Sequence, residues 1–173
     1  MLGCSTGATL ATWLAVSPDR PQADAHVYMS PNFGPKDKRL EIVNFPGGTQ
    51  LVLAFGGKER RWTPENAAEN QAWTSRYPTR ALFPMMSLVK LVRQSDLSRF
   101  QAPVLMLYSA NDQTVDSQKT RAVFARMGSS RKSIEVVCYS ESIGQHVLAG
   151  AIKAPQAVAP MVATITQWVH SLI

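Results

Sequence analysis

Gly3-Cys4-Ser5-Thr6-Gly7, running straight into Ala8-Thr9-Leu10-Ala11-Thr12, is the stretch on which the reading of this chain turns. It fits G-x-S-x-G, a pattern in which a serine sits on a sharp, strained turn between a strand and a helix. The two glycines let neighbouring backbone pass close by, and the hydroxyl then projects from the edge of a sheet. The small residues that follow are what that geometry demands of its helix. Taken alone, the five residues equally describe a plain glycine turn with a surface serine, so the rest of the chain has to decide.

Outward from the turn, Ala8 to Val16 is rich in Ala, Leu and Trp, as in a buried helix, and Pro18 and Pro21 end it. Ala25 to Met29 reads as a short buried strand that stops at Ser30-Pro31-Asn32. Further on, Pro103 to Tyr108 is near-continuously apolar, as expected of a central parallel strand buried on both faces. A polar turn, Ser109 to Val115, leads to a helix over Ser117 to Met127 with Gly128 as its stop. A strand over Ile134 to Tyr139 follows. The closing helix spans Ala157 to Ile173, where Val158, Met161, Val162, Ile165, Trp168, Val169 and Leu172 keep helical spacing. Strand and helix alternating in this order argue an α/β fold with a parallel sheet.

Residues 33–98 have another texture. Pro35, Pro46, Pro64, Pro78 and Pro84 break helical segments, strand signals are few, and Trp62, Trp73, Tyr77, Phe83, Met85 and Met86 give an oily surface. The pattern predicts a helical cap inserted into the core. The chain then divides into 1–32 with the turn, helix and first strand, 33–98 as the cap, and 99–173 as the rest of the core. The oily set either lines a pocket for an acyl chain or packs against itself.

A serine hydroxyl attacks a carbonyl only when a base takes its proton. The chain has three histidines. His170 belongs to the terminal amphipathic helix and His26 opens a strand, where a half-buried structural role accounts for it. His146 lies in a loop just after the last strand and is flanked by Gly144, so its ring can swing over the C-terminal edge of a sheet. The base must itself be held in one tautomer by an acid. Asp112 and Asp116 both follow the Pro103 to Tyr108 strand. Asp116 stands before Ser117-Gln118-Lys119 as a helix N-cap, which leaves Asp112, in the loop at the strand's end, as the orienting carboxylate.

The order Ser5, Asp112, His146 differs from the orders of the two large serine-protease architectures. With Gly3-Cys4-Ser5-Thr6-Gly7, Ser30-Pro31-Asn32-Phe33-Gly34, Ala102 to Tyr108 with Asp112-Gln113-Thr114-Val115, and Gln145-His146-Val147-Leu148-Ala149-Gly150, the chain resembles the α/β-hydrolase superfamily. The likeness is greatest to its monoacylglycerol-lipase-like, or serine-aminopeptidase-like (lysophospholipase-like), branch, and covers essentially the whole chain, the middle segment matching the family's variable cap only loosely. It implies the C-terminal part of an α/β-hydrolase fold, an acyl-enzyme mechanism with no cofactor and no metal, and an ester or lipid substrate. It also implies the Thr6 backbone N–H as one oxyanion donor. Members of the family carry a long segment before the serine turn, which supplies half of the sheet and the other donor. Here only Met1-Leu2 precedes Gly3, so the resemblance implies a chain lacking that part. The competing expectation is a non-catalytic remnant acting as a binding module.

Composition narrows the alternatives. With 45% hydrophobic and 17% charged residues over 173 positions, the chain is one globular domain with a real core. No unbroken apolar run reaches the length of a membrane span, and the first residues lack the features of a signal peptide. The net charge of +6 is concentrated in Lys36-Asp37-Lys38-Arg39 and Lys58-Glu59-Arg60-Arg61. Each run is diluted by an acid and lacks interleaved stacking aromatics, which argues against nucleic acid and for a solvated face, with transient contact to an anionic membrane surface as the other use. Cys4 and Cys138 are too few for a disulfide scaffold and match no zinc spacing. Free, buried thiols are expected, in keeping with a cytoplasmic protein.

Overall fold

The computed structural model describes residues 1–173. In chain order, β1 (Leu2–Cys4) turns at Ser5 into α1 (Thr6–Val16), and β2 (His26–Met29) follows. After a 3-10 turn at Lys38–Asn44 come α2 (Gly48–Gly56), β3 (Glu59–Arg61), α3 (Ala67–Ala72), β4 (Arg76–Pro78) and α4 (Leu82–Gln94). The last part holds β5 (Val104–Tyr108), α5 (Ser117–Arg126), β6 (Lys132–Val136) and α6 (Val158–His170).

Four strands form one parallel sheet in the order β1-β2-β5-β6. The register pairs Val27 with Leu105 and Tyr28 with Met106, so alternate side chains face opposite layers. Tyr28, Val104 and Met106 meet the small residues of α1 (Ala8, Ala11, Ala15), Val92 of α4 and Val123 of α5 on one face. Val27, Leu105 and Leu107 meet Leu148 and Met161 of α6 on the other. Every residue of β5 is buried, because this strand is covered on both faces and flanked by strands on both edges.

The alternating elements lie where the sequence places them, with shifted ends. The sequence puts a strand at 134–139, but β6 begins at Lys132, whose Nζ donates to the carbonyls of Phe124, Ala125 and Met127 and so caps α5. Helix α5 stops at Arg126, and Gly128 is not a left-handed cap. A Cβ at Gly128 would run into the Ser98 carbonyl, so glycine is needed for close approach of two chain segments. Pro84 does not break a helix either; it occupies the first turn of α4, where no N–H is required.

Within 33–98, the segment read as a cap, short helices are joined by an antiparallel ribbon of β3 and β4 that the sequence did not signal. Its C-terminal end turns toward the sheet: α4 packs on α1, and Val92 and Leu97 enter the main core. Met86 is fully buried. Both cysteines are free, but exposed rather than buried, since Cys4 ends the edge strand β1 and Cys138 follows the edge strand β6. His26 is more deeply placed than its position at a strand start suggests. It is 1% exposed between Tyr28 and Phe100. No helix is long and apolar enough to cross a membrane.

Candidate active site

In a parallel sheet every strand ends on the same edge, and the loops there converge. Ser5 follows β1, the Ser109 to Asp112 loop follows β5, and His146 lies in the loop beyond β6. Their side chains meet at that edge. Ser5 Oγ lies 3.0 Å from His146 Nε2, and His146 Nδ1 lies 2.8 Å from Asp112 Oδ2. With the ring proton on Nδ1, His146 donates to Asp112 and accepts from the serine hydroxyl. Asp112 is 1% exposed and the His146 side chain 19%, so the carboxylate is shielded from water while the ring stays partly accessible.

Each member is held by its own local structure. Ser5 has φ 50° and ψ −122°, a strained conformation for a non-glycine residue. It is kept there from both sides: Ser5 N–H donates to the Met29 carbonyl, and Asn32 N–H donates to the Ser5 carbonyl. A Cβ on Gly3 would come 2.7 Å from Ala8 Cα, so glycine is required where α1 folds back over β1. Gly7 has open space around the same position. Of the two glycines in the pattern, only Gly3 is sterically demanded. Thr6 opens α1, where a backbone N–H has no intrahelical acceptor.

Asp112 accepts at Oδ1 from the N–H groups of Thr114 (2.7 Å) and Val115 (2.9 Å), which leaves Oδ2 for His146. Asp116 instead accepts from Gln118 N–H at 2.9 Å and caps α5. The residue that bends the histidine loop is not Gly144 but Gln145, at φ 53°. Its amide donates to the carbonyls of Ser140 and Ser142 and accepts from Ser109 Oγ, tying this loop to the one after β5. The Ser140 and Ser142 hydroxyls both donate to the Val147 carbonyl. Sequence reasoning gave no role to Gln145 or Asn32; Gln145 at least adjoins His146, whereas Asn32 is distant from Ser5 in the chain and only the fold brings them together. His170 is exposed on α6, and His26 lies in the core, away from Ser5.

A cavity of about 520 Å³ opens onto Ser5 and His146. Cys4, Val147, Ala149, Ala151, Ile152 and Trp73 make its walls largely apolar. Of the oily residues in 33–98, only Trp73 lines it. A larger cavity, about 630 Å³, lies between the 3-10 turn and α2 and touches none of the three residues. No group of three His, Cys, Asp or Glu side chains converges to hold a metal ion.

No family model and no curated protein matches the sequence. Solved structures do match the fold. A soluble variant of monoglyceride lipase from Saccharomyces cerevisiae, in complex with a substrate analog, superposes with a TM-score of 0.68 at 13% identity over 99% of this chain. Monoacylglycerol lipase from Paleococcus ferrophilus gives 0.67 at 16% identity over 98% of this chain and 67% of its own. Mouse alpha/beta hydrolase domain-containing protein 10 gives 0.62 at 19% identity over 99% of this chain and 62% of its own. The chain has part of the α/β-hydrolase fold, a four-stranded parallel sheet flanked by helices. It spans 64% of the length of the yeast enzyme. Within this α/β-hydrolase fold, the Ser5 turn, the Asp112 loop and the His146 loop share one edge of the sheet.

Proposed function

We propose that this chain carries the catalytic residues of a serine hydrolase that cleaves carboxylic esters through an acyl-enzyme. The observation that carries the reading is the unbroken hydrogen-bond chain from Ser5 Oγ through His146 to Asp112. In this reading Ser5 Oγ attacks the ester carbonyl as its proton passes to His146 Nε2. Asp112 holds the ring in the right tautomer and stabilises its positive charge. The Thr6 N–H donates to the oxyanion. His146 then returns the proton to the departing alcohol, and water repeats the sequence on the acyl-Ser5 ester.

The apolar walls beside Ser5 favour an ester with a hydrophobic acyl group, in line with the lipase names of two similar structures. A panel of p-nitrophenyl esters from acetate to octanoate tests this. Activity is expected to rise with chain length, each methylene being worth about 1 kcal/mol in an apolar pocket, and Ser5→Ala is expected to abolish it throughout. Flat activity from acetate onward would remove the acyl pocket. Turnover that survives Ser5→Ala would remove the nucleophile.

A further inference from the structure

Helix α3 has no apolar anchor. Of its six residues only Glu69 is buried, and the others face solvent. A short polar helix of this kind is not held by burial of apolar surface and is marginal alone. What ties it to the core is charge. Lys153 Nζ lies 2.7 Å from Glu69 Oε1 and 2.7 Å from Glu65 Oε1, with the Lys153 side chain 12% exposed. Glu69 Oε2 accepts from Glu65 N–H at 2.6 Å, which closes the cluster on itself. Against the cost of burying the ammonium, the two carboxylates raise the Lys153 pKa, and the ammonium in turn holds Glu69 below the usual carboxylate range.

The cluster sits at the cavity beside Ser5. Lys153 lies seven residues after His146, in a loop closed by the paired backbone bonds of Gly150 and Ala154, and its side chain lines the cavity wall. Helix α3 ends at Trp73, whose N–H donates to the Glu69 carbonyl at 2.9 Å. Trp73 is 41% exposed, so its own packing does not fix it. It is held from one side by α3, which Lys153 ties down, and from the other by Trp62, whose backbone and indole N–H groups donate to the Ser75 and Thr74 carbonyls.

We infer that Lys153, clamped by Glu65 and Glu69, is a positioning residue that fixes Trp73 as the wall of the acyl pocket and so sets chain-length selectivity. The selectivity half of this inference rests on the ester-hydrolase reading. The clamp itself does not, and the two are separable by experiment. Lys153→Met keeps the aliphatic stem but cannot hold the carboxylates, and Glu65→Gln with Glu69→Gln keeps the shapes but removes their charges. In hydrogen exchange, amides of residues 62–76 should exchange roughly tenfold faster in both variants while the sheet keeps its protection. In ester turnover, KM for octanoate should rise roughly tenfold, and the octanoate-to-acetate ratio of kcat/KM should fall by about the same factor. Lys153→Arg should restore both readouts. Unchanged exchange in 62–76, or an equal loss of protection across the whole chain, would overturn the clamp. Faster exchange with an unchanged chain-length profile would overturn the selectivity role. Absence of Ser5-dependent turnover in the parent chain would instead defeat the hydrolase reading, with the exchange result still deciding the clamp.

Discussion

Both carboxylate oxygens of Asp112 are engaged, Oδ1 by two backbone N–H groups and Oδ2 by His146. Asp112→Asn keeps an oxygen for the backbone donors, and its NH₂ then faces His146 Nδ1. That forces the ring proton onto Nε2, where it cannot accept from Ser5. Turnover is expected to fall by roughly 10⁴, as the same change does in the serine-protease triad. Asp116→Asn should leave turnover unchanged, because Asn caps a helix as well as Asp does. Steady-state kinetics on both variants checks the ranking. His26 carries a second expectation. Burial pushes its pKa from 6.5 down to about 4, and its Nδ1 is 3.0 Å from the Tyr28 hydroxyl while Nε2 has no partner. The unfolded chain therefore takes up a proton near pH 6.5 that the folded chain refuses until about pH 4. Stability is fully present above the unfolded pKa and falls as pH drops through that window, by about 3 kcal/mol for this group. Urea midpoints between pH 7 and pH 4 should show the decline, and His26→Phe should flatten it. The convergence of Ser5, Asp112 and His146 was legible because a hydrogen-bonded serine, histidine and carboxylate set admits few residue types and the chain has three histidines. The depth of His26 was not, since a histidine opening a strand carries no mark of what lies over it.

At the scale of single elements, the turn at Ser5 makes a sharper statement than the pattern that announces it. G-x-S-x-G treats its two glycines alike, whereas α1 presses on Gly3 alone. Gly3→Ala should destabilise the fold by about 3 kcal/mol, because the added methyl meets backbone that cannot give way. Gly7→Ala should stabilise it by about 0.5–1 kcal/mol, since Gly7 lies in α1 with free space around it. Thermal or urea denaturation separates the two. Helices α5 and α6 were legible from helical spacing of apolar residues, and α1 and the buried strand β5 from their near-continuous apolar composition, because each pattern records burial directly. The ends of β6 were harder to read. An edge strand can begin with a lysine when that lysine caps a neighbouring helix. The ribbon of β3 and β4 went unread because Glu59-Arg60-Arg61 and Arg76-Tyr77-Pro78 pair through backbone and through the Glu59–Arg76 ion pair, with little apolar alternation to betray them.

Over the whole molecule, Ser5 and His146 are 141 positions apart and meet only because the topology is parallel. Chain order was informative for that reason: in a parallel sheet, residues just after successive strands gather on one edge. The tie between Glu69 and Lys153 spans 84 positions and left no such trace. A lysine and a glutamate have surface uses everywhere in a chain, and only the fold shows that this pair is buried beside Ser5. Covalent labelling tests the role of Ser5 directly. The 173-residue chain is treated with an alkyl fluorophosphonate, digested, and the modified residue located by mass spectrometry. A phosphonyl adduct is expected on Ser5, lost in Ser5→Ala and strongly slowed in His146→Ala. An adduct on another residue, or labelling of the same extent in Ser5→Ala, would contradict that role.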